Sequence, residues 1–201
     1  VDADFGGDRD DPKSTSGGWL VLAGPNTWVP LVWVCKRQSC TSRSTTEAEV
    51  VALAVSLFQE AIPMIELFSI ILGRPIDLYI LEDNQATIKV VKKGYSPKLR
   101  HLQRTQKINI SSIKEVIMDD QVTMLYCHTT YQCADIFTKA LAPHKWDDAI
   151  RLLGMQTPSP QKPKTKSKIE KDKPEEKTDA TPVLTVRGLY AATEACQRAM
   201  E

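Results

Sequence analysis

Asp2, Glu49, Asp83 and Asp135 each stand beside an apolar run, where a strand or helix begins or ends. Taken singly, each is a solvated or helix-capping acid before it is anything else. Brought together, they repel one another and need cations. Hard oxygen ligands with room for water favour Mg²⁺ or Mn²⁺. Two such ions, about 3.5–4 Å apart, can activate a water and stabilise the leaving oxygen of a phosphodiester. That chemistry requires the elements carrying the acids to converge.

The elements are legible from periodicity and turn chemistry. Residues 1–5 read as the end of a strand, and 6–16 as a polar turn. Residues 18–23 (GWLVLA) and 28–34 (WVPLVWV) are apolar runs of strand length, joined by Gly24-Pro25-Asn26. Pro30 places the second run away from a central, fully paired position. Ser44 and Glu47 form a capping-box pattern, and Val50, Leu53, Ala54, Leu57 and Phe58 follow at helical spacing. Pro63 is expected to break or kink this helix before a second segment ends at Leu72. Residues 76–81 (IDLYIL) read as a strand, 84–91 as a helix, 104–118 as another, and 121–127 as a strand. Residues 133–141 and 145–153 read as terminal helices. Five strands flanked by helices predict a mixed α/β class, with one five-stranded mixed sheet covered on its faces.

Composition sets the frame for these elements. The chain has 201 residues, 42% hydrophobic, with a formal net charge of +1. Residues 1–156 read as one globular domain. Residues 157–181, rich in Lys, Pro, Glu and Thr and without an aromatic residue, read as a disordered linker. Residues 182–201 regain helical spacing and read as a short C-terminal helix. The five cysteines are odd in number with no signal peptide before them, which argues against a disulfide framework. No apolar run approaches the ~18 residues of a membrane span. The chain begins with Val rather than Met, which reads as a processed product, a fragment or an incomplete gene model.

Charge is distributed unevenly. Residues 84–114 hold Lys89, Lys92, Lys93, Lys98, Arg100, Arg104, Lys107 and Lys114 and no acid. This is either a solvated helix face or a stripe that tracks phosphates. Asn84 and Gln85, directly after Asp83, suit a nucleic-acid backbone or a 2′-hydroxyl, although Asn84 suits a helix cap equally well. Cys35 and Cys40 lack the second ligand pair that zinc needs. Trp28, Trp33 and Trp146 are assigned to core packing before base stacking.

Five segments, taken in order, resemble the ribonuclease H domain of copia-type LTR retrotransposon Pol polyproteins. These are VDADFGGDRDDPKSTSG, STTEAEVVAL, LYILEDNQATI, RTQKINI and QCADIFTKAL, and they span nearly all of residues 1–156. The resemblance implies a ribonuclease H-like fold and a two-metal hydrolysis leaving a 3′-hydroxyl and a 5′-phosphate. The matching acids are Asp2 (with Asp4 as the alternate), Glu49 (with Glu47 on the cap side), Asp83 and Asp135. They are implied both as catalytic residues and as ligands of two Mg²⁺ or Mn²⁺ ions. Asn84, Gln85, Lys92, Lys93, Lys98, Arg100, Arg104 and Lys107 are the implied contacts to an RNA–DNA hybrid.

His128 precedes Asp135 by seven residues. Some cellular ribonucleases H keep a histidine in that loop for proton transfer and product release; a solvated loop histidine is the plainer reading. The implied partners are the hybrid and the reverse transcriptase domain of the same polyprotein, with no membrane. The implied location is the cytoplasm, in virus-like particles, and the nucleus. The chain departs from the family pattern at several points. Most of the first strand is missing before Asp2, Phe5 stands where Trp is usual, Glu82 adds an acid at a usually neutral position, and Lys107 replaces a histidine. The alternative reading is a catalytically decayed or domesticated nucleic-acid-binding module.

Overall fold

Alternation of side chains on β2 (Thr15–Gly24) shows how the molecule is layered. A Cβ at Gly18 would meet Ser56 and Val34, whereas one at Gly17 would meet Thr138 and Phe137. Successive residues therefore face opposite layers, as strand geometry requires. The computed structural model describes residues 1–8 and 10–155. The expected linker at 157–181 and helix at 182–201 lie outside the described residues, as does residue 156.

β2 pairs antiparallel with β1 (Asp2–Asp4) on one side and β3 (Thr27–Arg37) on the other. β3 is thus an edge strand. Its Pro30 pairs with Val21 where the register shifts between Leu20 and Val21, the setting in which a strand proline is tolerated. β4 (Leu78–Glu82) and β5 (Val122–Tyr126) form a separate parallel pair. The single five-stranded sheet expected from sequence is therefore corrected to a three-stranded and a two-stranded sheet. Between β1 and β4 the hydrogen bond runs from the Val1 nitrogen to the Leu81 carbonyl at 2.9 Å, too little for a shared ladder.

α1 (Thr45–Val55) opens on Ser44, whose Oγ accepts the Glu47 N–H at 3.1 Å. The reciprocal arm differs from the expected capping box. The Glu47 carboxylate accepts the Arg43 N–H at 3.0 Å and pairs with His101 at 2.9 Å. Pro63 does not end the helix. A π-helical turn at Ser56–Ala61 runs directly into α2 (Ile62–Leu72), so Thr45–Leu72 is one continuous helix of 28 residues. In the wider turn the Ile62 N–H bonds the Leu57 carbonyl, which moves the hydrogen-bond ladder out of α-helical phase just before the proline that cannot donate. Gly73, at φ 63°, closes α2 in the left-handed region that favours glycine. Joining the halves yields an 18-residue window of mean hydropathy 1.7, which meets the length and composition of a membrane span and corrects the expectation that no such stretch exists. Its first half is nonetheless a core helix. Residues 47–54 are all buried, against β1, β2 and α3 (Gln85–Lys93).

The main core lies between α1, α3 and α5 (Ile110–Ile117) and the β4–β5 pair. Leu53, Leu57, Ile80, Val91, Leu102, Ile113 and Met124 are buried there. The helix expected over 104–118 is two: α4 (Leu102–Thr105) and α5. Lys107, at φ 59°, turns the chain between them, and Asn109 caps α5 by accepting the Ser111 N–H. α6 (Asp135–Thr138) covers the opposite face of β2, where Phe137 stacks on Trp19 at 5.7 Å between centroids. α7 (Trp146–Leu152) follows, anchored near β3 by the bond from Trp28 Nε1 to the Leu153 carbonyl at 3.2 Å. Core packing does not hold for the other two tryptophans, since Trp33 and Trp146 are exposed.

Candidate metal centre

The four acids arrive from four elements. Asp2 is the first residue of β1 and is fully buried. Glu49 projects from the second turn of α1, also buried. Asp83 follows β4, and Asp135 begins α6. They meet at one end of the sheets. Oxygens of Asp2, Asp83 and Asp135 lie within 4.8 Å of one another, and so do oxygens of Glu49, Glu82 and Asp83. Asp83 belongs to both groups. An open cleft of about 710 Å³ lies over them, lined among others by Asp2, Asp4, Glu49, Asp83, Asn84 and Gln85.

The alternate acids separate from this cluster. Glu47 is buried and committed to Arg43 and His101. Asp4 lines the cleft and accepts the Gly7 N–H at 3.2 Å, but its carboxylate joins neither group.

Proton affinities follow from this crowding. Burial pushes Glu49 up to about 9, and the charges of Glu82, Asp2 and Asp83 push the same way. Burial likewise raises Glu82 to about 7, against the opposing effects of the N-terminal ammonium and the Asn84 N–H. Asp135 is raised by burial more than its bond to Lys139 lowers it. Burial disfavours the charge on Lys139, but the bonds and charges of Asp135 and Asp2 outweigh it and hold the lysine above its ordinary pKa. Two buried oxygens, Glu49 Oε2 and Glu82 Oε2, have no hydrogen-bond partner. A buried carboxylate oxygen without a donor is costly, and this donor set suits a hard divalent cation.

Lys139 is not singled out by the sequence, and Glu82 is noted there only as an extra acid beside Asp83. Lys139 Nζ bridges Asp135 at 2.8 Å and Asp2 at 3.2 Å. Its signal was available, since it lies four residues after Asp135. Thr138 Oγ1 also donates to Asp2, and Thr129 Oγ1 donates to Asp83 at 2.9 Å. Gln132 ties the site together: it is buried and donates to the Val1 carbonyl at 2.6 Å. Away from the cleft, Arg37 pairs with Asp8 and Asp11 and holds the 6–14 loop against β3.

α6 is seated against the bare backbone of Gly17. A Cβ there would come within 2.4 Å of Thr138 Cγ2 and 3.0 Å of the Ala134 carbonyl. Gly17→Ala is expected to push α6 outward, costing about 1–3 kcal/mol and loosening Asp135 and Lys139 together. Thermal melts and metal titration of the variant check this; unchanged metal affinity would show that α6 is not positioned by this contact.

The expected nucleic-acid residues divide between two places. Asn84 and Gln85 line the carboxylate cleft, and Asn84 also caps α3, accepting the Ala86 and Thr87 N–H groups. Both readings of Asn84 hold geometrically. Arg100 and Arg104 line a second cleft, with Tyr95, His101 and Asn109. There Arg100 donates to the Tyr95 hydroxyl and its guanidinium stands 5.5 Å from the ring centroid. Lys92, Lys93, Lys98 and Lys107 are exposed and line neither cleft. His128 is exposed and caps the turn at Thr129–Tyr131, with Nδ1 accepting the Thr130 N–H at 3.3 Å. In the neutral ring this places the proton on Nε2. The adjacent Thr129 is the residue bound to Asp83, so the histidine loop is joined to the centre.

Comparison with known proteins gives one consistent signal. The chain is 30% identical over 159 residues to the retrovirus-related Pol polyprotein from transposon TNT 1-94 of Nicotiana tabacum, covering 78% of this chain and 11% of that protein. The chain resembles a segment of a retrovirus-related Pol polyprotein. Pol polyproteins from transposons RE1 and RE2 of Arabidopsis thaliana are each 28% identical over 156 residues, covering 77% of this chain and 10% of theirs. The chain thus spans about a tenth of the length of these Pol relatives. No family model matches the chain, and no solved structure matches it.

Proposed function

We propose that this segment is the ribonuclease H of a retroelement Pol polyprotein, hydrolysing the RNA strand of RNA–DNA hybrids during reverse transcription. The observation that carries the reading is the convergence of Asp2, Glu49, Asp83 and Asp135 in two groups that share Asp83, with Asp2, Glu49 and Asp83 lining one open cleft. A ribonuclease H-like arrangement fits the order of elements, although β1–β3 and β4–β5 remain separate sheets.

The four acids would hold two Mg²⁺ or Mn²⁺ ions, which supply an activated water and charge stabilisation of the leaving oxygen. Thr129 fixes the rotamer of Asp83, the acid common to both groups. Thr138 does the same for Asp2. Asn84 and Gln85 stand where a backbone or 2′-hydroxyl of the hybrid would lie. Arg100, Arg104 and the exposed lysines 92, 93, 98 and 107 would follow its phosphates farther along. His128, on the loop whose Thr129 bonds Asp83, would carry a proton. The reverse transcriptase domain of the same polyprotein would supply the remaining grip on the hybrid, in cytoplasmic virus-like particles and in the nucleus, with no membrane involved.

A decayed or domesticated binding module accounts less well for the interior. Buried carboxylate oxygens without partners lower stability, and a module without metal chemistry gains nothing from them. The test is cleavage of an end-labelled hybrid by the purified chain with Mg²⁺ or Mn²⁺. Internal cuts in the RNA strand leaving 5′-phosphates are expected. Intact RNA from protein that is folded by circular dichroism and binds Mn²⁺ would overturn the nuclease reading.

A further inference from the structure

We propose that Glu82 is a fifth cation ligand in this chain, and that Glu49, Glu82 and Asp83 hold the tighter of two cations. The inference rests on reading the cluster as a cation centre, and it adds a residue and an order of affinity to that reading.

Glu82 ends β4 in phase with Leu78 and Ile80, so its side chain points into the core layer beneath α1 rather than to solvent. It is fully buried. Capping does not explain it, because the side-chain cap of α3 is Asn84. One carboxylate oxygen accepts the Asn84 N–H at 3.2 Å, while the other, Oε2, has no partner. Glu49 Oε2, arriving from α1, is buried and unpartnered as well. One carboxylate oxygen from each of Glu49, Glu82 and Asp83 lies within 4.8 Å of the others. Metal–oxygen distances of about 2.1 Å for Mg²⁺ and about 2.3–2.6 Å for Ca²⁺ place opposed ligand oxygens roughly 4–5 Å apart across one ion. The three oxygens therefore already have the spread of a single coordination sphere.

The second group differs in one respect. Asp2 and Asp135 are bridged by Lys139 Nζ, and Asp2 also accepts from Thr138. A divalent ion there competes with a built-in ammonium. Among the described residues no side-chain cation pairs with Glu49, Glu82 or Asp83, and the nearby Val1 ammonium is bonded to the Leu81 carbonyl. Once its carboxylates are ionised, the absence of a competing side-chain ammonium favours the Glu82 side.

The test is Mn²⁺ titration of the whole 201-residue chain without nucleic acid, followed by the electron paramagnetic resonance of free Mn²⁺. Two classes of site are expected. Glu82→Gln should weaken the tight class at least about tenfold, in the range by which metal-site polar groups commonly act, and leave the weak class in place. Asp135→Asn should weaken only the weak class, and Lys139→Met should tighten it. If Glu82→Gln does not fold, Glu82→Thr removes the charge with less volume and takes its place. A tight class that ignores Glu82, or that is lost with Asp135 instead, would overturn the proposal. Tight Mn²⁺ held through Glu82 by a chain that never cuts a hybrid would support it while sinking the nuclease reading. No Mn²⁺ binding at all would end both.

Discussion

Asp83→Asn is expected to lower hybrid cleavage by on the order of 10³-fold, about 4 kcal/mol of transition-state stabilisation, while leaving the fold intact. Asp83 alone contributes an oxygen to both carboxylate groups. Removing its charge weakens both cations at once, whereas losing Asp135 or Glu49 touches one. The fold should tolerate the change because Asp83 is only partly buried, lies beyond the end of β4, and among the described residues accepts a hydrogen bond from the Thr129 hydroxyl. An amide oxygen can still accept that bond. The measurements are initial cleavage rates with the wild-type and variant chains, and a circular dichroism melt of each. A variant that keeps more than about a tenth of the rate would show that Asp83 is not the shared ligand.

The second large effect is on stability, and pH sets its sign. Glu49 at about 9 and Glu82 at about 7 both lie above the ordinary value of 4.5 when no metal is bound. Below pH 4.5 both states carry these protons and the contribution to stability is whole. Between that value and the raised ones, the unfolded chain has released protons that the folded chain retains. Folding then binds protons, so stability falls as pH rises. The Glu82 share is spent by about pH 7 and the Glu49 share by about pH 9. Metal-free protein should therefore melt several degrees lower at the upper end of this window, since 1 kcal/mol corresponds to roughly 2–4 °C in a chain of this size. Mg²⁺ or Mn²⁺ should oppose the fall, and its stabilising effect should grow with pH, because binding requires the deprotonated carboxylates. Glu49→Gln should flatten the metal-free slope. A melting temperature independent of pH in chelator, with no growth of the metal effect, is the result that would contradict this account.

Much of the centre could be anticipated because its acids sit where apolar runs stop. Glu49 is legible beside VVAL and Asp83 beside LYILE, since the runs define the elements and the elements place the acids. The same logic would have found Glu82. An acid two residues beyond Ile80 in a strand shares the buried face, yet its position next to Asp83 made it look like a bystander. Lys139 was hidden differently. One turn after Asp135 it reads as a local ion pair, and only the packing of α6 against β1 brings it to Asp2. The break at Lys107 left no trace, because a lysine with positive φ has no turn signature of the kind glycine provides. Pro63 misled in the other direction: a π-turn spans five intervals of hydrogen bonding, a geometry that no residue pattern announces. The division of the sheet was also out of reach, since strand count says nothing of how many bonds a three-residue strand can make.

The way β1 is held has a dynamic consequence. It is stitched in place by partners 80, 131 and 136 residues away: the Leu81 carbonyl, Gln132 and Thr138. Leu81 belongs to β4, in the block of α1, α3, α5, β4 and β5 that buries the large aliphatic side chains, whereas Gln132 and Thr138 lie outside it. Beyond its ladder to β2 and the packing of Ala3 on Ala48 and Ala52 of α1, few bonds hold this segment to the block, so it can detach in a sub-global opening that leaves the block folded. Asp2 would leave with it, taking one ligand from the centre while Glu49, Glu82 and Asp83 stayed assembled. Global melting and loss of the centre are then two separate transitions, and amide exchange at β1 would report the second while the helices of the block reported the first.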